Sequence, residues 1–118
     1  MFDGANIWLC DTTGKKISKH WMDNQLTTSY SLPSPGESPA ALYWDGKNVI
    51  SADRDSGIIY FHRSTYNLLE NDKYQNELLK SKKGKFSGFT ADKDGYWVVF
   101  DGTGNIYKFS KDKLTRAR

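Results

Sequence analysis

Apolar positions in this chain come in brief runs separated by turn-forming residues, and the same pattern returns along its length. Ser38–His62, SPAALYWDGKNVISADRDSGIIYFH, shows it most completely: strand, tight turn, strand, tight turn, strand. A first kind of strand, A, is predicted at about 39–44 and 87–92. Asp45-Gly46 and Asp94-Gly95 read as the hairpin turns that follow it, because Gly supplies the positive φ such turns need. Strand B is predicted at about 6–11, 48–53 and 96–101, and strand C at about 16–20, 57–62 and 105–109. The B strands are apolar on both faces: Ile7, Trp8 and Leu9; Val49 and Ile50; Trp97, Val98, Val99 and Phe100. Strands of that kind are expected to be covered from both sides.

The pattern is an internal repeat. Shifted by 42 positions, the N-terminal stretch aligns without a gap on the central one, bringing Asp3 onto Asp45, Asp11 onto Asp53, Ile17 onto Ile59, His20 onto His62 and Leu26 onto Leu68. A shift of 48 brings Val49 onto Trp97 and Asp53 onto Asp101, with the turn at Asp92–Gly95 one residue longer. Ser31–Pro39 reads as a Pro/Gly/Ser loop into strand A. A strand D is placed near 67–70, followed by an irregular or helical insert over Asp72–Lys83 with Tyr74, Leu78 and Leu79 on one side. Several short strands per unit at a period in the forties predict an all-β fold of antiparallel four-stranded β-propeller blades. The 118 residues then form a single partial domain with repeat units at about 1–37, 38–85 and 86–118. One complete blade lies between two incomplete ones, and the third has a strand D only if Leu114–Arg118 supplies it. Open sheet edges invite pairing, so the expected partners are other blades, from a longer parent chain or from further copies of this one.

The repeats resemble known propeller families. SLPSPGESPAALYWDGKNVISAD resembles the bacterial pattern P-x-P-G-x-S-P-x-G-L-x-W-D-G, a group that includes glutamine-cyclotransferase-like proteins. Ser87–Ser110, SGFTADKDGYWVVFDGTGNIYKFS, is similar to the SMP-30/gluconolactonase and NHL type. The lactonase pattern places an Asp and an Asn, both metal ligands, just before strand-A glycines. Ser87 and Ala40 stand at those positions here, a poor ligand for a hard cation and no ligand at all. The resemblance therefore implies the architecture without the family's metal site, and neither metal nor cofactor is expected.

Composition narrows the chemistry. Aromatics are 14% and charged residues 26%, with a mean hydropathy of −0.71, an ordered and soluble composition. MFDGANIWLCD has no basic or apolar leader region, so no signal peptide or membrane span is expected, which is compatible with a cytoplasmic protein. The lone Cys10 excludes an internal disulfide. Residues 1–78 hold 7 Lys/Arg against 10 Asp/Glu (−3), and residues 79–118 hold 10 against 4 (+6). Lys80–Lys85 with Phe86 and Phe89 is the one argument for nucleic-acid binding, and a solvated loop explains it better, so nucleic acid is not an expected partner. Asp55-Ser56-Gly57 is a turn rather than a nucleophile motif, and His20 and His62 fall in separate blades, away from the usual binding mouth.

The expectation is a non-catalytic propeller segment that binds a ligand or protein, or acts as a scaffold. One alternative is a fragment of a lactonase-like or cyclotransferase-like enzyme whose active residues lie elsewhere. Another is a carbohydrate-binding oligomer using Trp21, Tyr30, Tyr43 and Trp44. Binding residues are sought in the mouth loops, at Asp53, Arg54, Asp55, Ser87 and Asp101, with no catalytic residue named.

Overall fold

The computed structural model describes residues 1–117. It is all-β, with antiparallel sheets of 3, 5 and 3 strands. The first sheet comprises β1 (Ile7–Asp11), β2 (Lys16–His20) and β3 (Thr28–Pro33) in that order. The middle sheet comprises β4 (Pro39–Trp44), β5 (Val49–Asp53), β6 (Ile59–His62) and β7 (Asn71–Gln75). A short helix, α1 (Glu77–Ser81), leads to the third sheet, built from β8 (Phe86–Ala91), β9 (Gly95–Phe100) and β10 (Ile106–Ser110).

Several expectations are corrected. The middle sheet is not four-stranded, because β11 (Thr115–Arg116) pairs with the free edge of β7. The segment expected as a last strand for the third unit thus completes its neighbour; Arg118 lies outside the described residues. Strand D is Asn71–Gln75 rather than 67–70. Asn67 makes a turn there, its side chain accepting from the Leu69 N–H, and Leu68 plugs the core from a loop. The helix is confined to five residues capped by Asn76, and Tyr74 belongs to β7. Ser31–Pro33 is strand rather than loop, Pro33 being tolerated at the end of an edge strand.

The repeat offset is also corrected. The first and middle sheets do superpose at 42: β1 pairs with β2 through Ile7–His20, and β5 with β6 in the equivalent register. The third unit follows at 47, not 48. Asp45 N–H bonds the Asn48 carbonyl and Asp92 N–H bonds that of Gly95, so the two turns have equal length. Asp3, Asp45 and Asp92 each cap their turn with the side chain accepting two backbone N–H groups. Phe100 therefore takes the place of Asp53, and Asp101 the place of Arg54.

The sheets stack in one direction, meeting chiefly along β1, β4 and β8. Trp8 and Ile17 of the first sheet pack on Val49 of the middle sheet and on Leu68. Ile50, Ala52 and Ile59 on the opposite face pack on Phe89, Tyr96, Val98 and Phe100 of the third. Among the described residues, only β5 is buried along its whole length; β1 and β9 each leave one face open, because their sheets have a neighbour on one side only.

Candidate functional site

Antiparallel connection brings the β1–β2, β5–β6 and β9–β10 turns to one end of the stack, together with loops 34–38 and 76–85. All five candidate residues lie in or beside these segments, but they do different things. Asp53 is 3% exposed. One carboxylate oxygen accepts from the Ser38 N–H at 2.7 Å and Ser38 Oγ at 3.4 Å. The other accepts from the Ser56 N–H at 3.1 Å and Ser56 Oγ at 2.6 Å. The Pro35-Gly36 bend wraps over it so tightly that a Cβ on Gly36 would collide with the Asp53 side chain. The P-G-x-S-P segment and Asp53 are therefore one lock that fixes loop 34–38 onto the β5–β6 turn. Asp55 sits on that turn with its N–H donating to Ser38 Oγ at 2.8 Å.

Arg54 is the hub of the rim. Its N–H donates to the Ser38 carbonyl at 2.8 Å, and its carbonyl accepts from the Gly84 N–H at 2.9 Å. Its Nε donates to the Gly84 carbonyl at 2.9 Å, and its guanidinium forms an ion pair with Asp101. The Asp101 N–H donates to the Lys85 carbonyl at 2.7 Å. One unit earlier, Thr12 Oγ1 donates to the Pro39 carbonyl at 2.7 Å. Thr12, Arg54 and Asp101 hold equivalent positions, so they form a row, each of the first two reaching to the next sheet. Arg54 and Asp101 side chains remain 37% and 48% exposed and present a donor and an acceptor side by side. An ion pair this open contributes at most about 1 kcal/mol to stability. Ser87 is not joined to them; its Oγ donates to the Val99 carbonyl at 3.3 Å beside a bulge in β8.

The opposite end carries a pairing that spacing along the chain did not show. His62 Nε2 lies 2.7 Å from Ser51 Oγ and Nδ1 lies 3.0 Å from the Leu68 carbonyl. The carbonyl fixes the Nδ1–H tautomer, so Nε2 accepts from the serine hydroxyl. His20 repeats the carbonyl half at the first unit, Nδ1 lying 3.0 Å from the Leu26 carbonyl, but its serine is Ser18 of its own strand, with Oγ at 2.8 Å, because Leu9 stands at the Ser51 position. A serine beside an oriented histidine is the start of a nucleophilic site. Here His62 and Ser51 are both buried, and burial depresses the His62 pKa to about 4 against the pull of the Leu68 carbonyl. The pair holds the 63–70 loop against the middle sheet.

The remaining candidates separate by burial. Phe86 and Phe89 lie in the core and offer no stacking platform beside Lys80–Lys85, which removes the aromatic half of the nucleic-acid argument. Tyr30 packs edge-on against Trp8 and donates to the Thr65 carbonyl, Tyr43 packs on Phe89, and Trp21 is exposed. Burial pushes the Cys10 thiol pKa up, away from thiolate reactivity. Among the described residues, no three His, Cys, Asp or Glu side chains converge as a metal site would require. No family model, curated protein or solved structure matches this chain.

Proposed function

We propose that the chain forms three consecutive blades of a β-propeller and serves as a non-catalytic binding or scaffolding module, with the Arg54–Asp101 rim as its recognition point. One observation carries the reading. The sheets are stacked head to tail by the same faces, meet along their first strands, repeat the same Asp-capped turn, and reach the next sheet from equivalent rim positions, Thr12 and Arg54. Sheets joined along their inner strands in this way are the working principle of a propeller, where the loops at one end build the binding surface. The groups best suited to catalysis support the non-catalytic side: Asp53 is spent on four internal hydrogen bonds, and the Ser51–His62 pair is sealed.

A glycan array and a thermal-shift panel of small anionic and carbohydrate ligands test the rim on the purified chain. The expected result is a ligand whose affinity falls at least ~10-fold, about 1.4 kcal/mol, in both Arg54→Ala and Asp101→Ala. A ligand bound equally well by both variants would place recognition elsewhere. Lactone hydrolysis by this chain that is abolished by a chelator would replace the reading with the enzymatic one.

A further inference from the structure

The third sheet ends the stack with an open apolar face. Gly88, Thr90, Trp97, Val99 and Ile106 line a shallow groove of about 500 Å³ on it. At the repeat offset this face is the counterpart of the first sheet's inner face, the one that packs on the middle sheet. Asp92, Trp97, Ile106 and Lys108 stand where Asp3, Trp8, Ile17 and Lys19 stand, and all four residue types are identical. The local geometry is also the same. Trp8 Nε1 donates to Asp3 at 2.8 Å, and Trp97 Nε1 donates to Asp92 at 2.9 Å. Lys19 Nζ lies 5.8 Å from the Trp8 ring, and Lys108 Nζ lies 4.8 Å from that of Trp97. Yet Trp8 and Ile17 are 0% exposed, while Trp97 is 36% and Ile106 68% exposed.

The complementary half of this interface is open at the other end of the stack. On the middle sheet the inner face of the first sheet meets Val49, with Ser51, His62 and Leu68 around it. On the outer face of the first sheet their counterparts are Ile7, Leu9, His20 and Leu26, and His20 is tied to the Leu26 carbonyl as His62 is to that of Leu68. Leu26 is 44% exposed where Leu68 is 1%.

We infer that a second copy of this chain docks its Ile7–Leu9–Leu26 face onto the Trp97–Ile106 face of the first, reproducing between chains the β5–β6 part of the contact that joins the first and middle sheets; β4, which adds Leu42 and Trp44 to that contact, has no counterpart in the first sheet. The interface is heterologous, one patch meeting a different patch, so it propagates until rotation closes it. The number of copies rests on the propeller reading: two copies supply six sheets, within the usual range of about four to eight blades, and three would exceed it. The assembly is thus a ring of two chains with two identical seams.

Light scattering on the eluting protein at ~10–100 μM reads this directly, a range in which micromolar and tighter association is visible. The expected mass is twice that of the chain for wild type. Ile106→Glu and Leu9→Glu each place a charge on one exposed face, leave the internal core untouched, and are expected to be monomers with wild-type circular dichroism. Val99→Glu serves as a second variant on the Trp97 side. Mixing Ile106→Glu with Leu9→Glu restores one unmodified seam and is expected to recover a heterodimer. A monomeric wild type, or a Leu9→Glu variant that stays dimeric, overturns the head-to-tail contact. A polymer that grows with concentration and is abolished by Ile106→Glu overturns the closed ring, and with it the propeller reading, while locating the contact on the same face.

Discussion

At the scale of single residues, the informative positions are those whose role depends on a partner far along the chain. The sequence repeat sets Asp53 in line with Asp11 and Asp101. The structure makes it the anchor of a loop fifteen residues earlier, through Ser38. Gly36 is needed by proximity, not by φ, because the Asp53 carboxylate occupies the space its Cβ would take. Gly36→Ala is expected to destabilise the chain by about 1–3 kcal/mol, the usual cost of overpacking, read as a lower urea midpoint with an unchanged slope. His62 gives a second test. Its folded pKa is depressed to about 4 from 6.5, so the unfolded chain takes up a proton that the folded chain refuses. Stability from this group is complete above pH 6.5 and falls as the pH drops toward 4, by about 3 kcal/mol at most. Urea unfolding between pH 7 and 5 should show that slope in wild type and a flatter one in His62→Gln. Equal slopes would mean that the folded chain takes up the His62 proton over the same pH range as the unfolded one, so that burial does not depress its pKa.

At the scale of elements, the sequence pattern was legible where residues forming the turns were distinctive. The A, B and C strands of the middle unit fall within about two residues of their expected places, since Asp45-Gly46 and Asp53–Gly57 mark both turns. The last strand was missed because its residues, Asn71, Asp72 and Lys73, have low β-propensity, and only pairing with β6 on one side and β11 on the other makes them a strand. Leu68-Leu69 drew attention instead, although Leu68 is a loop plug and Leu69 is exposed. The sequence puts the third unit one residue out of register because Trp97–Phe100 is apolar throughout and offers no alternation by which to set it. Two substitutions test the elements. Asn76 caps α1 through the Leu78 N–H and also donates to the Lys113 carbonyl. Asn76→Ala is expected to cost about 1–2 kcal/mol in urea unfolding. Lys15 has φ 57 where Gly57 and Gly104 stand in the later units. Lys15→Gly should therefore raise the melting temperature, relief of about 1 kcal/mol of left-handed strain outweighing the lost exposed pair with Glu37. A fall in melting temperature would show that the pair matters more.

At the scale of the whole molecule, burial is decided by which sheets have neighbours, and no local pattern carries that information. Ile17, Ile59 and Ile106 occupy one repeat position and the sequence treats them alike. In the stack the first two are fully enclosed, each facing the next sheet, while Ile106 faces outward from the last. The same logic limits what could be read of the candidate site: the repeat indicated which turns share an end, but the Arg54–Asp101 pair exists only because the third sheet lies against the middle one at an offset of 47. Alanine at the three isoleucines separates position from environment. Ile17→Ala and Ile59→Ala each remove a packed side chain and are expected to cost about 2–5 kcal/mol. Ile106→Ala removes one that the single chain leaves in solvent, and should cost less than about 0.5 kcal/mol when unfolding is followed at sub-micromolar concentration. Raising the protein concentration should then increase the stability of wild type but not of Ile106→Glu, because a partner bound only by the folded state stabilises it by mass action. Equal costs at all three positions in dilute solution would mean that the outer face of the third sheet is covered within a single chain.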